Sequence, residues 1–280
     1  MNRLIKMVGM DLDGTLLNSQ KKLSEYTRKI LAQAIEQGCI VLAATGRPLS
    51  ALPKDLIDFP GMKYAVTTNG ARVLDMERKE TIYANLLPMD IAQQVLSVYQ
   101  EYDVIDEVFI NGIGYTHEEP MRRVDEYADN PTMANYMLTT RTLVKDVGET
   151  IQRIGEPIDK VRAIFKHSEE RQEAIKRLQE IPGIEISASS PNDLDANKSG
   201  INKGLALVKL GEFLGIKREE IMACGDDIND LEMLREVGFA VAVENARDEV
   251  KNIADYITDT NDNDGVAKAI ERFVLKRKEK

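Results

Sequence analysis

The 280-residue chain has no tryptophan, two cysteines, two histidines and only 5% aromatic residues. His117 and His167 are too few and too scattered for a zinc site. Cys39 and Cys224 sit in or beside apolar runs, the setting of buried free thiols in a reducing cytosol rather than of a disulfide framework. No apolar run reaches the roughly 18 residues that a membrane-spanning helix needs. The start, Met1-Asn2-Arg3-Leu4-Ile5-Lys6, carries too short an apolar stretch for a signal peptide, so a cytoplasmic protein is expected. Positive charge is in deficit, with 37 Lys and Arg against 47 Asp and Glu and a net charge of −10. That balance argues against nucleic acid or an anionic membrane as partner. It leaves room for a locally positive pocket holding a small anion. Repeats and low-complexity stretches are absent.

What remains is an ordinary globular composition, 43% apolar and 30% charged, on a chain long enough for one large domain or two. One stretch organises it. Leu4 to Met10 is an apolar run broken only by Lys6, and it ends in Asp11-Leu12-Asp13-Gly14-Thr15. A short apolar run stopped by a glycine turn reads as a buried strand meeting a loop. If the backbone stays extended, Asp11 and Asp13 share a face and point into one pocket with Thr15 close by. Two like charges that close are costly unless compensated, and a hard cation such as Mg²⁺, which takes carboxylate and carbonyl oxygens, compensates them. The plainer reading of Asp-Gly here is turn chemistry.

The chain continues as a helix capped by Ser24, with Ile30, Leu31, Ala34 and Ile35 at helical spacing and Gly38 after it. Cys39 to Ala44 is an unbroken apolar strand. Continuous apolar strands separated by helices indicate a parallel sheet covered on both faces. The second strand ends in Thr45-Gly46-Arg47-Pro48, with Pro48 placed for a helix start. A hydroxyl and turn amides at the carboxyl end of a parallel strand suit a phosphate, although, taken alone, an ordinary N-cap Thr beside a turn Gly is the preferred reading. Tyr64 to Thr67 is a third strand running into Thr68-Asn69-Gly70-Ala71, and 72–74 with 81–83 forms a small hairpin.

From Asn85 the pattern changes. Pro88 opens a helix, 108–110 and 114–115 form a hairpin around Asn111-Gly112, 161–165 is a strand, 169–181 a helix, and 184–188 a strand of alternating burial. Residues 119–156 are charged and weakly periodic. This middle third is α+β, with an antiparallel sheet and helices on one face expected. The parallel pattern resumes near Asn197. A helix starts at Asn202-Lys203-Gly204, Ile221 to Cys224 is a strand, and Gly225-Asp226-Asp227-Ile228-Asn229-Asp230 is a second acidic loop opening a helix. Phe239–Val243 and Tyr256–Ile257 are strands, 247–254 and 265–275 helices, and 276–280 a solvated, mobile tail. The expected fold is α/β: a Rossmann-like, mostly parallel core from residues 1–84 and 195–280, with 85–194 inserted as an α+β cap.

Three polar strand ends thus face one crevice: Asp11 and Asp13, Thr45 and Gly46, and Asp226, Asn229 and Asp230. Lys203 joins them if its helix packs on that side. Four carboxylates suit a divalent ion, while lysine, hydroxyl and amides suit phosphate oxygens. A site with both suits metal-assisted phosphoryl transfer. For Asp227 helix capping is the preferred reading. For Asp230 a first-turn acid favoured by the helix dipole competes with a functional role, and Arg47 reads equally as a structural or rim residue.

The set Asp11-Leu12-Asp13-Gly14-Thr15, Thr45-Gly46-Arg47, Lys203 and Gly225-Asp226-Asp227-Ile228-Asn229-Asp230 resembles the haloacid dehalogenase superfamily of phosphatases. It looks most like the Cof-type branch, with a large α/β cap inserted after the third core strand. The resemblance implies a phosphatase acting on small phosphorylated metabolites such as sugar or cofactor phosphates. It implies Asp11 as nucleophile, forming an aspartyl-phosphate, and Asp13 as general acid and then base. It implies Mg²⁺ held by the Asp11 carboxylate, the Asp13 carbonyl and Asp226, with Asp230 steadying the metal's water shell. Thr45, Lys203, Asn229 and the amides of Leu12 and Gly46 would hold the phosphoryl oxygens. The family's Leu-Glu-Ile segment before the motif lysine reads Leu194-Asp195-Ala196 here. In the cap, Asn111, Tyr115, Arg122, Arg123, Arg141, Lys160, Asn192 and Asp193 are candidate leaving-group contacts. Three other readings stay open: a phosphomutase that passes the same aspartyl-phosphate to a second hydroxyl, a non-catalytic phosphate-ligand-binding module, and a receiver-like phosphoacceptor. The last fits poorly with the long insertion.

Overall fold

The computed structural model describes residues 4–188 and 190–275. The tail at 276–280 lies outside the described residues.

In chain order the elements are β1 (Met7–Met10), α1 (Glu25–Glu36), β2 (Ile40–Ala44), α2 (Lys54–Ile57), β3 (Tyr64–Thr67), β4 (Arg72–Asp75), β5 (Glu80–Ala84), α3 (Met89–Tyr99), β6 (Val104–Ile110), β7 (Ile113–His117), α4 (Glu118–Met121), α5 (Pro131–Thr140) and β8 (Arg141–Val144). They continue as α6 (Val147–Ile154), β9 (Lys160–Phe165), α7 (Ser168–Leu178), β10 (Ile184–Ser187), β11 (Asp193–Lys198), α8 (Lys203–Leu214), β12 (Ile221–Gly225), α9 (Leu231–Glu236), β13 (Phe239–Ala242), α10 (Asp248–Lys251), β14 (Tyr256–Ile257) and α11 (Gly265–Phe273). The helix expected at Pro48 is a 3₁₀ turn at Leu49–Ala51 followed by α2.

The chain packs as two units. The first comprises the described residues up to Thr45, Leu52–Ala84, and those from Asn202 onward; the second comprises Gly46–Ala51 and Asn85–Ile201. Gly46–Ala51 and Asp195–Ile201, both assigned to the core from sequence, therefore fall with the second unit. Strand β11 explains the latter, because it pairs with β9 and β10.

In the first unit an eight-stranded sheet runs β14-β13-β12-β1-β2-β3-β4-β5. It is parallel from β14 through β3, and β4 and β5 add as an antiparallel hairpin. Every residue of β1, β12 and β13 is buried, as a strand covered on both faces must be. The chain builds outward from β1 in both directions, to β2 and β3 early and to β12, β13 and β14 late. β1 is therefore the point where the strand order reverses, and open α/β sheets bind ligands beyond the carboxyl ends of the strands there. Helix α1 packs with α11, and α8 with α9.

The second unit is a six-stranded sheet, β10-β11-β9-β6-β7-β8, antiparallel except for β7 with β8. The expectation of helices on one face is corrected. Val104, Val108, Ile110, Val161, Ala163 and Phe165 pack with residues of α3, α6 and α7. The alternate positions Ile105 and Ile164 pack under Met121, Val124, Tyr127, Ala134 and Met137 from 118–140. Both faces of β6 and β9 are covered, so the alternation that marks a one-sided sheet is lost.

Candidate active site

Strand β1 ends at Met10, and Asp11 follows with its amide donating to Cys224 O (3.0 Å). The parallel ladder thus fixes Asp11 beside the end of β12. The chain then turns: Leu16 N donates to Asp11 O (3.1 Å) and Leu17 N to Leu12 O (2.9 Å). Gly14 has φ +89°, and a Cβ there would lie 2.3 Å from Asp226 Oδ2. A glycine is required both by the backbone conformation and by the approach of that carboxylate. Thr15 Oγ1 donates to Asp226 Oδ1 (2.5 Å), so the first acidic loop clasps the second.

Lys203 opens α8, capped by Asn202, whose side chain accepts from Leu205 N. Its ammonium is buried and donates to Asp11 Oδ1 and Asp230 Oδ1, both at 2.7 Å. Asp230 Oδ2 accepts from the amides of Asp226 (2.9 Å) and Asp227 (3.2 Å), which pins the second loop. Asp227 caps the turn at Ile228–Asp230 through its side chain, as the capping reading expected. Asp230 is both the anchor of its loop and a member of the charge cluster.

Oxygens of Asp11, Asp226 and Asp230 lie within 4.8 Å of one another. Burial pushes the Asp11 carboxyl well above the ordinary aspartate range, and the Lys203 ammonium pulls against that. For Lys203 burial disfavours the charge, but the carboxylates of Asp11 and Asp230 outweigh it and raise the lysine above its usual value. Asp226 is pushed up to about 6, chiefly by burial. One ammonium against three converging carboxylates leaves the cluster short of positive charge. A hard dication taking oxygen ligands corrects that imbalance, so the residues present fit one.

Asp13 departs from expectation. The sequence reading placed its side chain with that of Asp11, but the backbone does not stay extended through Leu12. The half-buried Asp13 carboxylate pairs instead with Lys21 Nζ (2.7 Å), from a lysine at φ 58° in a turn held by the Asn18 side chain. Leu12 is buried in the turn, Thr45 is buried at the end of β2, and Asn229 is half-buried in the turn before α9. Gly46 falls with the second unit, where its carbonyl accepts from Lys160 Nζ (3.2 Å).

A family model described as haloacid dehalogenase-like hydrolase matches residues 8–270. The chain belongs to that family. It is 32% identical over 271 residues to the 5-amino-6-(5-phospho-D-ribitylamino)uracil phosphatase YcsE of Bacillus subtilis, covering 97% of this chain and 96% of the relative. It is 28% identical over 270 residues to the pyridoxal phosphate phosphatase YbhA of Escherichia coli, covering 95% and 97%. Among solved structures it resembles a haloacid dehalogenase subclass IIB sugar phosphatase, with a TM-score of 0.79 at 25% identity over 96% of this chain and 98% of that one. The chain is accordingly an enzyme of the haloacid dehalogenase phosphatase type, a hydrolase. No helix among the described residues is long and apolar enough to cross a membrane.

Four of the second-unit candidates, Arg123, Arg141, Lys160 and Asp193, are held in ion pairs. Arg141 Nε contacts Glu107 Oε1 (2.5 Å), Arg162 Nη2 contacts Asp193 Oδ2 (2.5 Å) and Lys160 Nζ contacts Asp195 Oδ2 (2.6 Å), all buried. Arg123 is tied to Asp103 (3.3 Å). Arg47 donates to Ala51 O (3.1 Å) and lies over the Tyr136 ring. Sequence reasoning missed Glu107 and Arg162; their one signal is a charged residue at an otherwise apolar position of a strand.

Proposed function

We propose that the chain is a Mg²⁺-dependent phosphatase of small phosphomonoesters, working through an aspartyl-phosphate on Asp11. The observation that carries the reading is Asp11 itself, a buried carboxylate ion-paired to Lys203 at the end of the central strand. One Asp11 oxygen attacks phosphorus while the ester P–O bond breaks, and Asp13 gives a proton to the departing alkoxide. Water then attacks the acyl phosphate, Asp13 takes its proton, and inorganic phosphate leaves with Asp11 restored. Asp13 must exchange its Lys21 partner for the leaving-group oxygen to do so. The Asp11 carboxylate, the Asp13 carbonyl and Asp226 would hold Mg²⁺, with Asp230 orienting their loop. When bound, the ion supplies the positive charge that the anionic phosphoryl group and the carboxylate cluster both need. Lys203, Thr45, Asn229 and the amide of Leu12 hold the transferring oxygens, the preorganised donors on which such catalysis depends.

The relatives' named substrates motivate the class: a ribitylamino-uracil phosphate, pyridoxal phosphate and sugar phosphates, each a small polar monoester. Hydrolysis of an aryl phosphate by the purified protein, with Mg²⁺, with chelator and for Asp11→Asn, tests the core chemistry. Turnover that needs both metal and Asp11 supports it; turnover in Asp11→Asn refutes it. Release of inorganic phosphate, followed by phosphorus NMR, separates hydrolysis from transfer to a second hydroxyl. A panel of the three substrate types then reads specificity.

A further inference from the structure

Strand β3 ends in three successive residues with positive φ: Thr68 at 55°, Asn69 at 60° and Gly70 at 100°. Glycine takes this conformation freely, whereas a β-branched threonine there is an outlier. Strain of this kind persists only where the surroundings over-determine it, and here they do so on two sides.

On one side Asn69 N donates to Thr45 O (3.1 Å), and Thr45 N donates to Val66 O (3.0 Å). Thr45 is thereby gripped through both its backbone groups by β3 and the turn after it. On the other side Gly70 lies against the start of α8. A Cβ on Gly70 would fall 2.4 Å from Asn202 O and 3.0 Å from Lys203 N. Those atoms are backbone, so the contact cannot be relieved by rotating a side chain. Within the first unit, then, one strained turn touches both the residue that carries the phosphate hydroxyl and the residue that carries the ammonium.

We propose that Thr68-Asn69-Gly70 is a spacer that sets the separation of Thr45 from Lys203, with Asn69 and Gly70 as positioning residues for the phosphoryl group. The proposal rests on the phosphatase reading above. Asn69 holds the end of β2 through its amide, and Gly70, by having no side chain, lets α8 begin one van der Waals contact away. A bulkier turn residue displaces the first turn of α8, and Lys203 with it, by about 1 Å; misplacements of that size cost around 10²-fold in rate.

The test uses the full chain, an aryl phosphate as substrate and orthovanadate as the phosphate-site probe. Gly70→Ala and Asn69→Val, the second because a β-branched residue resists positive φ, are expected to weaken vanadate inhibition and lower kcat more than tenfold. Asn69→Gly keeps both the amide and the conformation, and is expected to stay within about threefold of wild type. Gly61→Ala is the control for a merely structural loss: its φ is +83° and its Cβ would meet Ile35 Cγ2 at 2.5 Å. It is expected to lower the melting temperature with vanadate affinity kept. Folded Gly70→Ala or Asn69→Val with wild-type vanadate affinity overturns the spacer and leaves the phosphatase reading standing. If Gly70→Ala does not fold, the contrast between Asn69→Val and Asn69→Gly decides. A wild type that neither hydrolyses the ester nor binds vanadate overturns both readings.

Discussion

Replacing Asp226 by Asn is expected to stabilise the protein in chelator and to abolish its response to Mg²⁺. The size of the effect follows from the site. Asp226 is pushed up to about 6, chiefly by burial, against roughly 3.9 for a free aspartate. A raised acid binds more protons folded than unfolded, so stability falls as pH climbs from the unfolded value through 6 and stays reduced above it. At about 1.4 kcal/mol per tenfold, the folded protein disfavours the ionised carboxylate by about 3 kcal/mol near pH 8. Asparagine removes the charge and still accepts a hydrogen bond from Thr15, although the charge-assisted bond to Asp226 Oδ1 is lost, at about 1 kcal/mol. The net gain is about 2 kcal/mol, a rise of roughly 5 °C in melting temperature for a chain of this size. Calorimetry in chelator and then in millimolar Mg²⁺ reads both parts. A variant that melts lower than wild type in chelator refutes the charge argument. Equal Mg²⁺ stabilisation of the two proteins refutes Asp226 as a ligand.

Two further outcomes are expected. Glu107→Gln leaves the buried guanidinium groups of Arg141 and Arg162 without their shared carboxylate and lowers the stability of the second unit by about 3–5 kcal/mol. Burial alone would raise Glu107, but Arg141 and Arg162 hold it below the usual range. Its contribution is therefore present above roughly pH 4.3 and lost as pH falls through the lower folded value. Acid unfolding followed by circular dichroism should show that steep loss in wild type and not in the variant, and identical acid profiles sink the assignment. Burial pushes the thiols of Cys39 and Cys224 up to about 12, so an aromatic disulfide reagent near pH 8 should label neither in the folded protein and both in denaturant; labelling of folded protein shows that one is exposed.

The first unit was legible in the sequence because its strands are buried on both faces. β1, β2, β12 and β13 are apolar nearly throughout, and the first three each end in a polar loop that carries chemistry. Asp11, Lys203, Asp226 and Asp230 meet as their positions on those loops imply. Asp13 pairs with Lys21, and the turn at Leu12 cannot be read from an Asp-x-Asp spacing. The second unit was harder to read for a physical reason. Strand β11 buries Asp193, Asp195 and Asn197 on one side, against Lys160 and Arg162 of β9. A strand whose charged side faces inward inverts the pattern by which strands are recognised. Helices α4, α5 and α6 are short or only partly apolar, and α5 is recognisable mainly by its Asn130 cap and the proline after it.

The place of β1 in its sheet also sets an order in time. Its partner on one side, β2, follows within a few dozen residues, but its partner on the other, β12, begins at Ile221. At roughly 5–20 residues per second, synthesis delivers β12 some 10–40 seconds after β1. Until then Asp11 lacks the ladder beside Cys224, and the Lys203 ammonium is made only shortly before it. Apart from the short Gly46–Ala51 segment, the second unit is one continuous stretch, Asn85–Ile201, and is complete on the ribosome before the strand that closes the first. A nascent chain stalled between these points would carry a finished second unit and an unassembled catalytic centre, so activity arrives last and all at once.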